Sequence, residues 1–307
     1  MMKKCFALLC LIVLLGSTAL AEDTPVQPLP MDFTPGPVAA EENYTDSSYE
    51  DASISVQVEK VTTDLAVFCV ARVKIADASQ LRTAVTPNGK TNKISTLARK
   101  NNAVIAIGGE YFASDEGGLI IRMGEIQGNK RKPRKTPYET RDLLCIDENG
   151  DFHIILRLRD PHEKKKKVNE TFEEDIEALR TEHTLVNVFD FGPALIRDGE
   201  LCEIPDNYSF NPNGAEPRCA IGQVGPLEYL LVVVDTLEHH ARNNGQGATC
   251  ATLARFMQER GCTEAYNLDG GNSCLMVFHG ENYSDKTFNE ERSVSDIIYF
   301  ATAISAE

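Results

Sequence analysis

Residues 261–268 form an apolar run that ends in Asn267-Leu268-Asp269-Gly270-Gly271-Asn272-Ser273, and a second apolar run, residues 274–278, leaves it. This pattern predicts a strand, a tight turn and another apolar segment. Side chains alternate along a strand, so Asn267 and Asp269 point to the same side. The glycines allow the backbone to turn where a side chain would clash, and they expose N–H groups able to face an anion. The expectation is a polar site at the rim of a sheet.

The rest of the chain places that rim in a strand-rich fold. Ile54, Val56 and Val58 alternate with polar residues, as in a half-buried strand. Residues 65–75, 103–107, 143–146, 152–158, 186–191 and 293–304 read as further strands, and residues 230–235 are the most hydrophobic of all. Residues 91–101 read as a short helix. Residues 249–260 fit an amphipathic helix, with Leu253, Phe256 and Met257 at helical spacing and Gly261 as its C-cap. Residues 160–184 read as a charged surface helix inserted between strands. Strands dominate without a regular βαβ repeat. This predicts an α+β fold: one domain with a mixed, largely antiparallel sheet and flanking helices.

Charge and leader bound the function classes. The formal net charge of −15 disfavours nucleic acid, because an acidic surface repels a phosphate backbone. Lys3 and Lys4, an apolar stretch over residues 5–15 and Ala19-Leu20-Ala21 form a secretory leader, residues 1–21. The expected location is therefore secreted or extracytoplasmic, with no stable membrane span. Residues 22–52 are acidic and proline-rich and read as a flexible linker, with the domain over residues 53–307. Seven cysteines follow the leader, several inside apolar runs, and read as small buried hydrophobes.

Acids stand at the ends of apolar strands: Glu110, Asp190, Asp235 and Asp269. Arg218, Arg242 and Arg292 stand near similar ends. Gathered acids can act as acid and base or hold a hard cation, and arginine forks suit phosphate. Ser273 lacks a Gly-x-Ser-x-Gly elbow and reads as a binding hydroxyl. His239-His240 are adjacent, which points them opposite ways on an extended chain and makes a weak metal pair. No motif calls for a cofactor, and a divalent cation at the acids stays open.

Several blocks in order resemble the phosphodiester glycosidase domain family: residues 103–112 (AVIAIGGEYF), 191–200 (FGPALIRDGE), 217–222 (PRCAIG), 232–235 (VVVD), 244–249 (NGQGAT), 267–273 (NLDGGNS) and 291–296 (ERSVSD). The resemblance implies hydrolysis of a sugar-1-phosphodiester on its glycosidic side, in a glycan or cell-envelope polymer. On that reading Glu110 and Asp269 carry the carboxylate chemistry and Arg218 and Arg292 hold phosphate. Asn267 and Ser273 bind sugar hydroxyls, Gly270 and Gly271 supply backbone donors, and Asp235 contacts substrate or a cation. The sequence departs from the family in four places: Gly108 stands where an Asn is usual, Cys219 where a Thr is usual, Asp235-Thr236-Leu237 where Asp-Gly-Arg is common, and the 160–184 insert has no counterpart. A non-catalytic binder of envelope glycopolymers on the same fold and a metal-dependent phosphodiesterase remain as alternatives.

Overall fold

The computed structural model describes residues 26–86, 90–110, 119–127, 141–157, 165–206, 208, 210–237, 246–285 and 291–305. The leader, Arg242, His239 and His240 lie outside the described residues. Strands are numbered along the chain. An eight-stranded sheet has the spatial order β1 (Ser48–Glu50), β2 (Ile54–Thr62), β3 (Val67–Ile75), β15 (Glu228–Asp235), β14 (Arg218–Gly225), β16 (Glu264–Leu268), β12 (Ala194–Arg197), β13 (Glu200–Leu201). A five-stranded sheet runs β10 (Phe152–Ile155), β9 (Leu143–Asp147), β11 (Leu185–Phe189), β7 (Ile121–Arg122), β8 (Glu125–Ile126). A second runs β18 (Glu281–Asn282), β17 (Met276–Phe278), β6 (Ile105–Gly108), β20 (Asp296–Phe300), β4 (Leu81–Val85). A ribbon pairs β19 (Ser293–Val294) with β5 (Asn92–Lys93). The pairings among the described residues are all antiparallel. The fold is α+β, divided among several sheets rather than built on one.

Alternation along the strands explains this architecture. In β15, Leu231 and Val233 enter a central core shared with Ile107, Leu144, Ile146 and Ile298 from the other two sheets. Leu230, Val232 and Val234 point the other way, onto Leu253, Ala254 and Met257 of helix α3 (Cys250–Gln258). In β20, Ile298 and Phe300 face the central core, while Ile297 and Tyr299 pack under Leu97 and Ala98 of helix α1 (Ile94–Lys100). In β9, Leu144 and Ile146 face inward, and Leu143 and Cys145 meet Ile176 of helix α2 (Lys165–Glu182). Each large sheet thus has one face on the common core and one under a helix. Strands covered on both faces read as continuous apolar runs, which is how these segments look in the sequence. Thr249 caps α3 by accepting the Thr252 N–H at 3.0 Å, and Gly261 takes φ +89° just beyond it.

The linker expected at residues 22–52 differs from this picture from residue 26 onward. Arg82, 1% exposed, donates to the carbonyls of Pro30, Asp32 and Thr34 at 2.8–3.0 Å. Ser79 Oγ accepts the Leu29 N–H at 2.8 Å, and Tyr49 of β1 is buried in the central core. Composition underestimated the segment because much of its anchoring comes from backbone carbonyls bound by a distant arginine, with few buried apolar side chains such as Tyr49 of its own. No helix among the described residues is long and apolar enough to cross a membrane. All seven cysteines after the leader are free thiols, six of them buried.

Candidate active site

Three strand ends meet at one rim. β6 runs out through Gly108 into Gly109-Glu110, β16 ends just before Asp269, and β20 starts at Asp296. The Asp269 N–H donates to Gly109 O at 3.1 Å, and the Gly109 N–H donates to Asp296 O at 3.2 Å. The Glu110 N–H donates to Asp296 Oδ1 at 2.9 Å. The join is close enough to need a glycine, since a Cβ on Gly109 would fall 2.5 Å from Asp296 Oδ1. The backbone thereby gathers the carboxylates of Glu110, Asp269 and Asp296.

A buried arginine organises two of them. Arg122, 0% exposed, pairs with Glu110 Oε2 at 3.2 Å and donates from Nε to Asp296 Oδ2 at 2.6 Å. Its Nη1 donates to the carbonyls of Ile121 and Val188, and its guanidinium lies 3.8 Å over the Phe189 ring. The Asp190 N–H donates to Glu110 Oε2 at 2.7 Å. Burial pushes the Glu110 carboxyl up to about 7, the Asp296 and Asp190 charges add to the rise, and Arg122 offsets it in part. Burial also raises Asp296, against the pull of Arg122. The site therefore keeps a carboxyl group that titrates near neutrality.

Beside this buried pair, the strand-end turn presents unsatisfied atoms. Asn267 Oδ1, Asp269 Oδ2 and Ser273 Oγ are buried and none makes a well-formed hydrogen bond, although the Ser273 hydroxyl lies close enough to Asp269 to favour its charge. Asn267 is held in place by its other end, Nδ2, which donates to Gly192 O at 2.8 Å. Burial raises the Asp269 carboxyl above its ordinary value. The nearby Ser273 hydroxyl, the Arg292 charge and the Gly270 N–H oppose that rise, and Asp296 adds to it. Arg292 itself is exposed at the rim. Buried polar atoms without well-formed partners are costly, and when three come from one seven-residue stretch they are best understood as places kept for a polar ligand.

Other expected site residues make different contacts. Arg218, 3% exposed, spends four N–H groups on the carbonyls of Ala248, Phe210, Asn211 and Gly214. These bonds fix the 210–214 loop. Asp235 Oδ2 accepts the Asp285 N–H at 2.9 Å and anchors the stretch after β18. The Gly271 N–H is bound to Pro217 O at 3.0 Å, and a Cβ on Gly270 would approach the same carbonyl to 2.6 Å. The two glycines thus fit the turn against Pro217, with Gly271 at φ +58°. The loop that Arg218 holds carries Phe210, 53% exposed, whose ring stacks on Phe191 at 4.6 Å with Arg141 alongside.

Two of the departures from the family pattern, Gly108 and Cys219, sit under the turn. Cys219 Sγ donates to Gly108 O at 3.4 Å. A Cβ on Gly108 would stand 2.7 Å from Ser273 O and 3.2 Å from Ile94 Cδ1. Gly108→Asn is therefore expected to destabilise the domain by about 1–3 kcal/mol through overpacking and to displace Ser273. Thermal melting of the variant checks this, and an unchanged melting temperature would contradict it.

The model of the phosphodiester glycosidase family matches residues 101–301. The chain belongs to the phosphodiester glycosidase family. No curated protein sequence gives a match. Among solved structures, the phosphodiester glycosidase domain is similar to the catalytic domain of zebrafish N-acetylglucosamine-1-phosphodiester α-N-acetylglucosaminidase, auto-inhibited by its pro-peptide. The TM-score is 0.59 at 17% identity, covering 86% of each chain. At that identity the likeness speaks for the fold. A hypothetical protein from Synechocystis aligns with a TM-score of 0.48 at 17% identity, covering 80% of this chain and 62% of the other.

Two residues of this candidate site, and Phe210 on the loop that Arg218 holds, are not among those expected from the sequence. Arg122 is the central one. Its signal was a single charge inside the apolar stretch Leu119-Ile120-Ile121-Arg122-Met123, a position that demands a buried partner. Asp296 opens an apolar strand just as Asp269 closes one, so the same strand-end logic would have included it. Phe210 carries no sequence signal, because its exposure follows from the loop that Arg218 ties down.

Proposed function

We propose that this phosphodiester glycosidase is an exported hydrolase that cleaves the bond between a sugar's anomeric carbon and phosphate, in a glycan or cell-envelope polymer. The observation that carries the reading is the cluster of buried, poorly satisfied polar atoms, Asn267 Oδ1, Asp269 Oδ2 and Ser273 Oγ, next to a carboxyl pushed up to about 7. The substrate named for the zebrafish enzyme, an N-acetylglucosamine-1-phosphodiester, supports the substrate class. The leader at residues 1–21 supports export.

In this reading Asn267 and Ser273 hold sugar hydroxyls, and the ionised Asp269 carboxylate faces the anomeric carbon. Positive charge develops there as the C1–O bond to phosphate breaks and its electron pair leaves on the phosphate oxygen. Water supplies the new C1–O bond, and its proton passes to a carboxylate. Arg292, at the rim beside Asp269, suits the phosphate. Glu110, protonated up to about pH 7, is the acid partner. Phosphate is a good leaving group, so modest proton donation suffices. Gly108 in place of the family Asn favours one second reading, a binder that retains the cleft without turnover.

The deciding experiment incubates the mature protein with a panel of sugar-1-phosphodiesters, with and without chelator. Free sugar and a phosphomonoester are the expected products. A sugar phosphate lost on chelation would mean cleavage on the phosphate side, and binding without products would mean the binder. The pH dependence follows from the two raised carboxyls. Glu110 holds its proton below about 7 and loses it above, so activity falls as pH rises through 7. Asp269 must be ionised, so activity also falls as pH drops through its raised value. A bell-shaped kcat profile is expected, and Glu110→Gln should remove the alkaline limb from any residual activity.

A further inference from the structure

On the five-stranded sheet that lies under α2, three side chains from three elements converge. Asp147 ends β9, His153 lies on β10, and His183 follows α2. His153 Nε2 is 3.0 Å and His183 Nδ1 2.9 Å from the same oxygen, Asp147 Oδ2. The ligand atoms of the three side chains all lie within 4.8 Å of one another. The sheet explains the convergence. His153 pairs with Cys145 and Leu185 with Asp147, so His153 is the diagonal neighbour of Asp147 across one ladder, and His183 approaches along the other.

We propose that Asp147, His153 and His183 form a binding site for a borderline divalent cation of the zinc class, which clips the inserted helix α2 onto the sheet. Two imidazole nitrogens and one carboxylate oxygen are the donor set that zinc-class ions take, with a fourth position left for water. Tetrahedral ligands about 2.0–2.1 Å from such an ion are about 3.3 Å apart, so the two Asp147–histidine separations need to open by only a few tenths of an ångström, and the two imidazole nitrogens, within 4.8 Å of each other, lie in reach of the same ion. Asp147 is already oriented for it. Its Oδ1 accepts the Asn149 and Asp151 N–H groups at 2.8 and 3.0 Å, which turns Oδ2 toward the two rings. The Asp147 side chain is fully buried, whereas His153 and His183 are 28% and 27% exposed, so solvent reaches the histidine side. His183 is fixed by its own N–H, which donates to Leu179 O at 2.9 Å, and the Thr184 N–H donates to Glu148 Oε2 at 2.7 Å. The bond from His183 to Leu179 extends the last turn of α2, so an ion here pins the C-terminal end of the helix.

A hydrogen-bonded cluster without an ion would look similar, and metal titration separates the two. Mature protein is stripped with chelator, then titrated with Zn2+ and with Co2+ as a spectroscopic substitute. One zinc equivalent should raise the melting temperature, and Co2+ should give visible d–d absorption that Zn2+ abolishes. Mg2+ and Ca2+ should do neither. His153→Gln and His183→Gln should each weaken zinc binding by more than the roughly 10–100-fold that loss of an outer-shell partner costs, with the melting temperature of the metal-free protein held. Asp147→Asn provides a second test should either histidine variant fail to fold. A double His239→Gln/His240→Gln variant should bind as the parent does. The proposal is overturned if zinc does not bind, if it binds equally well to the 153 and 183 variants, or if the 239/240 variant loses it.

Discussion

Asp269→Asn is expected to lower kcat for sugar release by about 10²–10⁴-fold, the range that a positioned carboxylate contributes, without weakening the fold. The two halves of this expectation have one cause. Burial outweighs the Ser273, Arg292 and Gly270 contacts, so the folded protein holds the Asp269 charge at a cost. A neutral amide of the same shape removes that cost. The folded carboxyl binds its proton more tightly than the unfolded one, so its ionisation costs stability progressively as pH rises through the raised value. The variant should therefore melt higher than the parent at pH 8, and the gap should close at acid pH where both forms of Asp269 are protonated. Melting curves at pH 3 and pH 8, with initial rates on a sugar-1-phosphodiester, check both halves. A variant that retains full activity sinks the role proposed for Asp269. One that is inactive and less stable at pH 8 would make the residue structural instead.

Arg122→Met is expected to have the largest effect on stability. It leaves Glu110 and Asp296 buried with no countercharge from Arg122, and breaking a buried pair in this way costs about 3–5 kcal/mol. For a domain of this size that is a fall of roughly 10 °C in melting temperature. The loss depends on pH in a definite direction. Without the guanidinium both folded carboxyls rise further above their unfolded values, so the folded state retains protons that the unfolded state releases. Stability then declines as pH rises above the ordinary carboxylate range, and the variant approaches the parent only in acid. Calorimetry at pH 5 and pH 8 should show the larger deficit at pH 8. Equal deficits would mean that Arg122 acts through its packing on Phe189 and its bonds to the Ile121 and Val188 carbonyls.

What the sequence revealed and what it concealed divide along physical lines. β9, β15 and β20 were legible because both of their faces are buried, so the whole run is apolar. The gathering of Asn267, Asp269 and Ser273 at one strand end was legible because strand alternation and a glycine turn fix their direction within a few residues. Arg122 was not, since its partner Asp296 lies 174 residues away and only the tertiary fold brings them together. Arg218 shows the opposite difficulty. An arginine at a strand end suits phosphate and suits backbone carbonyls equally, and here four carbonyls take it. The packed segment at residues 26–52 was hidden for a similar reason, because a large part of its hold on the domain is Arg82 reaching its backbone. His183 stood in the charged insert with nothing nearby to mark it, and its neighbours His153 and Asp147 come from a hairpin some 30 residues earlier.

The position of β20 bears on how the protein comes to exist. This late strand lies between β6 and β4, both made far earlier, and it brings Asp296 to Arg122. While the chain is being synthesised, Arg122 and Glu110 have emerged but their third member has not, and the sheet stands open where β20 belongs. Sheets closed by a distant segment form slowly, so an incomplete chain would carry a half-built carboxylate cluster and two unpaired strand edges at once. Maturation of the cluster and sealing of those edges are then the same event. A chain halted before residue 296 would be inactive and prone to edge-to-edge aggregation together.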